Sequence, residues 1–297
     1  MPPLNSSIGD VLITKYANSV FELASQTEAR TRQLVNMVQV EAENMMFPRV
    51  GYLEAQTLDQ RSPIITPSDL QWDNRKLSTD RFGVACYIDN WDAERMLSDP
   101  KSEVAKRTAE ALERNFDRKV VASLNATVYT GRQGTTAVTA SSDGVVTVDG
   151  TGGITYDLLL QLDANFQSVE LGTETNVRKF LLVSEKEHQQ LMKEGTLING
   201  DFSNQYVVDK GRMTRALDFD IIMFGSAVPN PILPIVSGSR QCYAVVGGQV
   251  NVGMTQSWKV DVQPVNNRWE TVQVLTSGIF GATRMQGLGV QVINTNP

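Results

Sequence analysis

The feature that most constrains this chain is an unbroken helical pattern over residues 99–126. Asp99 can cap the first free backbone amides, and Pro100 stands at the first helical position, where its missing N–H costs nothing. Val104, Thr108, Leu112, Phe116, Val120 and Leu124 then recur every four residues with Ala105, Ala109 and Val121 beside them, which winds one apolar stripe around the helix. The other face is charged. Glu103 with Arg107 and Glu110 with Arg114 stand four apart with the acid first, a spacing that adds about 0.2–0.5 kcal/mol per pair. No Gly or Pro interrupts the run before Gly131. A rod of this length, roughly 40 Å, needs a sheet or other helices laid along its apolar side, and the core helix of an α+β domain is one reading of it.

A chain of 297 residues has room for one large or two smaller domains. It contains no apolar run of the roughly 20 residues that a membrane span needs, and MPPLNSSIGD lacks the basic and apolar regions of a signal peptide. The protein is therefore expected to stay in the cytoplasm where it is made, with no membrane partner. Cys86 and Cys242 stand far apart among apolar or aromatic neighbours and read as buried free thiols. The single histidine, His188, excludes His-rich zinc sites and every Ser/His or Cys/His pair that does not use it. Its place in the middle of a short helix, beside Glu187 and Gln189, reads as a solvated surface residue. A net charge of −6 gives no support for wrapping nucleic acid. Residues 1–50 set Asp10, Glu22, Glu28, Glu41 and Glu43 against Lys15, Arg30, Arg32 and Arg49, which is no basic arm.

In chain order, residues 1–15 are small and polar, a short helix is expected within 16–29, and 34–40 reads as a strand. Residues 47–87 read as two extended limbs around a proline-marked turn at SPIITPSD, with too few apolar residues to fill a core. Arg49, Arg61, Arg75, Lys76 and Arg81 there face Glu54, Asp59, Asp69, Asp73 and Asp80. A long excursion of this kind is functional or disordered, and an isolated hairpin is marginal in water. The stretch is therefore expected to project as an arm that orders on another surface, with Arg49, Arg61, Arg75, Lys76, Arg81, Glu54, Asp59 and Asp73 as candidate contacts to neighbouring subunits. A short helix is expected over 90–97. The Gly, Thr, Ser and Val-rich stretch 129–153 reads as a surface hairpin, since no Lys-Ser or Lys-Thr follows as a phosphate loop requires.

Residues 154–226 alternate helix and strand. A helix over 156–169 carries Leu159, Leu162 and Phe166, and 180–183 is a short buried strand. Ser184 then opens a capping box with Glu187 on a helix expected to stop at Gly195, and 220–224 is another buried strand. From Arg240 six strands follow: QCYAVVGG, QVNVGM, WKVDVQPV, RWETVQVLT, GIFGATRM and LGVQVIN, punctuated by glycines and by Asn266-Asn267. Carboxylate pairs such as Asp89 with Asp92 and Asp218 with Asp220 lack partners for acid–base chemistry, and alternation places the second pair on the solvent face of a strand. No catalytic residue, cofactor or metal is nominated.

The order of these parts resembles the major capsid proteins of tailed bacteriophages. The likeness is carried by the lead from Asp89 to Pro100, by the helix with Arg114 and Asp117, and by the closing Gly281-Ala282-Thr283-Arg284. It implies the Hong Kong 97 type fold: an N-terminal arm at 1–46, an extended loop at 47–87, a peripheral domain at 88–153 with the spine helix 99–126, an axial domain at 154–240, and strands at 241–297 returning to the peripheral domain. It also implies an icosahedral shell of pentamers and hexamers around double-stranded DNA, located in the virion and assembled in the host cytoplasm. A separate scaffolding protein and a portal would be the partners. Lys76 is the only lysine in the loop, and its crosslinking partners have no match, so no covalent crosslink is expected. An encapsulin-like compartment shell, a β-rich tail or attachment protein and, more distantly, an enzyme remain the alternatives.

Overall fold

The computed structural model describes residues 26–55, 67–89, 100–171, 177–193, 208–209, 212–265, 267–268 and 270–296. A 3-10 turn at Arg30–Gln33 leads into β1 (Asn36–Gln39), β2 (Asn44–Val50), β3 (Trp72–Ser78) and β4 (Asp80–Asp89). Helix α1 (Pro100–Leu124) precedes the short strands β5 (Val128–Thr130), β6 (Thr136–Val138) and β7 (Val146–Gly150). Next come α2 (Tyr156–Ser168), β8 (Lys179–Ser184) and α3 (Glu185–Lys193). The remaining strands are β9 (Val208–Asp209), β10 (Arg212–Met213), β11 (Arg215–Ala216), β12 (Phe219–Phe224), β13 (Ile235–Val236), β14 (Ser239–Val246), β15 (Val250–Pro264), β16 (Thr271–Arg284) and β17 (Val290–Thr295). The chain falls into two compact units. The first takes Met1–Glu28, Phe82–Glu113 and Ser257–Gly278; the second takes Ala29–Arg81, Arg114–Gln256 and Ile279–Pro297.

The second unit holds the deep core. Its largest sheet runs β11-β12-β8-β14-β17-β7, with β13 beside β14. β8 and the Cys242–Val246 part of β14 are buried at every residue, as continuous apolar runs require of strands covered on both faces. Helix α2 starts at Thr155, whose side chain accepts from Leu158 N, and buries Leu158, Leu159, Leu162 and Phe166. The Phe166 ring lies 6.3 Å from that of Phe219. In the C-terminal part of α1, Phe116, Val120, Val121 and Leu124 are fully buried, and Phe116 meets Phe280 at 5.6 Å. Each such side chain contributes about 1.5–3 kcal/mol by leaving water. Asp117, on the same stretch, is buried and accepts from Arg30 N (3.1 Å), Thr31 N (3.0 Å) and Thr31 Oγ1 (2.7 Å), which ties the 3-10 turn to the helix.

The first unit is thinner. Among its described apolar residues only Ile88, Leu112 and Val274 are buried. The first half of the α1 stripe, Val104 and Ala105, is half-buried. Polar pairs do much of the joining: Thr108 Oγ1 with Thr276 Oγ1 at 2.6 Å, Trp258 Nε1 donating to Glu113 at 2.6 Å, and the Arg268 guanidinium 4.3 Å over the Tyr87 ring. Arg107 pairs with Glu110 at 2.9 Å, a combination of the two acid–base pairs that the spacing offered.

Several expectations need correction. The four strands expected over QVNVGM, WKVDVQPV, RWETVQVLT and GIFGATRM are two long ones, β15 and β16, because their glycines serve close packing rather than chain breaks. A Cβ on Gly253 would fall 2.6 Å from Leu77 and from Val40. The stretch 129–153 is a surface hairpin only at β5 and β6; β7 runs parallel to β17 in the large sheet. His188 is buried rather than solvated, because β10 covers α3: its Nε2 accepts from Met213 N at 3.3 Å and lies 3.1 Å from Met213 O. Asp218 sits in the turn before β12 and pairs with Arg215 and Lys179, while Asp220 pairs with Arg178. Cys86 is half-buried. The Ser184–Glu187 cap is present, with Ser184 N donating to the Glu187 carboxylate at 3.0 Å. Residues 26–29 are not helical. The rest of the helix expected over 16–29, the helix over 90–97, Asp99, Asp92, the stop at Gly195 and most of the turn at SPIITPSD lie outside the described residues.

Candidate assembly surface

The β2–β3 hairpin belongs to the second unit and forms the outer pair of a four-stranded sheet, β2-β3-β5-β6. Its register runs from Asn44 opposite Ser78 to Val50 opposite Trp72, and Gly51 N closes it on Gln71 O at 2.8 Å. β2 is the edge strand and carries Pro48, which withholds one backbone donor from any neighbouring strand. At the far end the apolar side chains stop facing protein: Val50, Tyr52, Leu53 and Trp72 are 53%, 83%, 48% and 68% exposed. Four such residues on one hairpin end make a clustered apolar patch, unlike exposed apolar residues scattered singly.

Just inside that end the charges turn inward. Arg49 donates to Asp73 directly across the ladder at 2.6 Å and to Met285 O at 2.8 Å. Arg75 donates to Asp143 and, at 3.3 Å, also to Met285 O. Arg284 holds the other Asp143 oxygen at 3.0 Å and donates to Leu124 O (2.6 Å) and Ala126 O (3.2 Å). Burial pushes the Asp73 carboxyl up, but the Arg49 hydrogen bond and charge, with the backbone N–H groups of Asn74 and Gly131, hold it below its usual range. Burial pulls the Arg75 guanidinium down, opposed by the charge of Asp143. An open cleft of about 900 Å³ lies against this network, walled by Arg49, Tyr52, Trp72, Asp73, Asp143 and Gln286 among others.

The candidate contact residues therefore separate. Glu54 and Arg81 are exposed, while Lys76 is half-buried with its stem under Gly134, where a Cβ would fall 2.7 Å from Lys76 Cδ. Arg49 and Asp73 are partly exposed and paired with each other. Arg75 is 1% exposed and bound to Asp143 of its own chain. Arg61 and Asp59 lie outside the described residues. Asp143 was not foreseen, although it is the only charged residue between Arg132 and Asp149, a signal that the Gly- and Ser-rich setting obscured. Among the described residues no three His, Cys, Asp or Glu side chains gather as metal ligands would, and no helix is long and apolar enough to cross a membrane.

A family model described as phage capsid protein matches residues 8–296. The fold is similar to that of the capsid of cyanophage P-SCSP1u, at 13% identity over 98% of this chain and 95% of that one, with a TM-score of 0.74. It is also similar to the head structure of Helicobacter pylori bacteriophage KHP40 (10% identity, 99% of each chain, TM-score 0.72). A structure from Mycobacterium phage Che8 is another likeness (12% identity, 94% and 96% of the two chains, TM-score 0.70). A search of curated proteins finds no match.

Proposed function

Since the chain belongs to the phage capsid protein family, we propose that it closes into an icosahedral shell of its own pentamers and hexamers around double-stranded DNA. That it is a major capsid protein, a structural component of the virion with the Hong Kong 97 type fold, follows from the family and from the capsid folds it shares. The encapsulin-like and tail-protein readings are not favoured by those likenesses. Within the shell, residues 1–46 serve as the arm, 47–87 as the extended loop, 88–153 as the peripheral domain on its spine, 154–240 as the axial domain and 241–297 as the returning strands. The subunits assemble in the host cytoplasm on a separate scaffolding protein around a portal, and the DNA is enclosed without sequence-specific contacts.

The observation that carries this reading is the exposed end of the β2–β3 hairpin, where Tyr52 and Trp72 stand in solvent beyond the part of β3 that pairs with β5. A hairpin of that kind gains order by lying on something else, and a repeated contact that is weak singly becomes strong once a ring or shell closes. The test replaces residues 52–70 with a short Gly-Ser turn. That change keeps the Gly51–Gln71 closure and leaves Arg75 and Leu77 in the core. The shortened chain should fold and melt like the full chain but form no particles by sedimentation and electron microscopy. Particles of normal size from the shortened chain would sink the proposal.

A further inference from the structure

His188 is the chain's one histidine, and it is buried on α3 where β10 covers that helix. Its Nε2 meets both backbone groups of Met213, the N–H at 3.3 Å and the carbonyl oxygen at 3.1 Å. One ring nitrogen serves one of them at a time: with a lone pair it accepts from Met213 N, and with a proton it can only donate to Met213 O. The neutral ring thus satisfies a buried N–H that the imidazolium would confront donor to donor. β9 and β10 form a two-stranded ribbon outside the large sheet, so the ring is a hydrogen-bonded link between that ribbon and α3.

A positive charge on the ring would go uncompensated. On α3 itself, Glu185 is engaged by Ser226, and Glu187 by Ser184 and Thr295. Lys186 and Lys193 add exposed cations to the same helix. Of the strands packed against α3, β8 brings Lys179, bound to Asp163 and Asp218; β12 brings Asp220, bound to Arg178; and β10 brings Arg212. Arg240 of β14 lies 3.8 Å from Glu187. Among the described residues the partner of the ring is the Met213 backbone, with no carboxylate at ion-pair distance. A buried imidazolium so placed favours any conformation in which it reaches water.

We propose that His188 is a pH-sensitive clasp: neutral, it holds β10 on α3, and protonated, it lets the β9–β10 ribbon lift away. In the lifted state the ring is solvated and takes up its proton near the ordinary imidazole value of about 6.5. The closed state therefore loses ground as pH falls below that value, by up to about tenfold per unit for one proton. The clasp lies within one chain and one unit, so it holds or fails independently of the shell reading.

The experiment follows the full chain from about pH 7.5 to about pH 5.5, on either side of the imidazole range. Amide hydrogen exchange at Met213, corrected for the chemical exchange rate at each pH, is compared with the NMR titration of the His188 ring, whose signal is unambiguous in a chain with one histidine. Protection at Met213 should fall by up to about tenfold per pH unit in step with the ring, while Leu182 in β8 keeps its own. His188→Gln, whose side chain offers an acceptor but no titrating proton, should stay protected at neutral pH and lose the pH dependence. Constant protection at Met213 in the wild type overturns the proposal, as does a fall that persists in His188→Gln or one that Leu182 shares. If the variant does not fold, the wild type decides: a ring that titrates with no change at Met213, or protection lost while the ring stays neutral, overturns it equally.

Discussion

The two units of this molecule spend their residues differently. The second encloses apolar strands and helix faces so completely that whole runs of β8 and β14 have no contact with water, and even two of its charges, at Arg75 and Arg284, are sealed in. The first has a few buried apolar side chains and joins its strands to the helix through hydroxyl and indole hydrogen bonds, with a guanidinium over the Tyr87 ring of β4, leaving Tyr87, Val260 and Val262 exposed. One helix serves both, and its stripe is half-buried at Val104 yet fully buried at Phe116. The difference teaches that the same amphipathic pattern yields different stability according to what is laid against it. A unit joined by polar contacts is the one expected to open first.

That contrast can be broken most forcefully at Asp143. Asp143→Ala leaves two buried guanidiniums uncompensated and should destabilise the chain by about 3–5 kcal/mol in denaturant titration; a loss below about 1 kcal/mol would show the network to be wetter than its burial implies. The helix offers an internal control. Phe116→Ala should cost about 3–5 kcal/mol, and Val104→Ala, on the half-buried turn, under about 1 kcal/mol, so equal losses would erase the distinction between the units. Asp73 gives a smaller, pH-dependent signal. Its folded-state pKa lies below the ordinary 3.8, so the stability it confers is complete above that value and is lost as pH falls through the folded one. Asp73→Asn should flatten that acid slope in melting experiments without steepening it elsewhere. The mildest test is thiol labelling under native conditions. Burial pushes the Cys242 thiol up to about 12, which keeps it neutral and slow to react, whereas half-buried Cys86 should label first.

The legible parts of the fold were those whose signals are local. Helix α1 runs Pro100–Leu124, within two residues of its expected ends, because the proline and the four-residue stripe act within a turn or two. β8 and the Ser184–Glu187 cap were equally plain. Contacts made at long range were not. His188 is covered by Met213, 25 residues on, and Arg75 finds Asp143 at a separation of 68, so neither partner could be assigned from spacing. Glycines misled for a related reason: in β15 and β16 they mark places where another chain segment presses in, and only the folded neighbour distinguishes that from a turn. Of the candidate contact residues, the pairing of Arg49 with Asp73 follows from hairpin register, which needs the true strand ends to be known.

Gly281 shows what such pressure means for sequence change. A side chain there would run into the carbonyl oxygen of Ser78 and the backbone of Thr79, at the end of the hairpin. The β3 terminus and β16 thus bear on each other like a hinge pin fitted without clearance. Any substitution at 281 must displace main chain rather than a rotamer, so a change at this position is passed to the Ser78–Thr79 backbone where β3 gives way to β4.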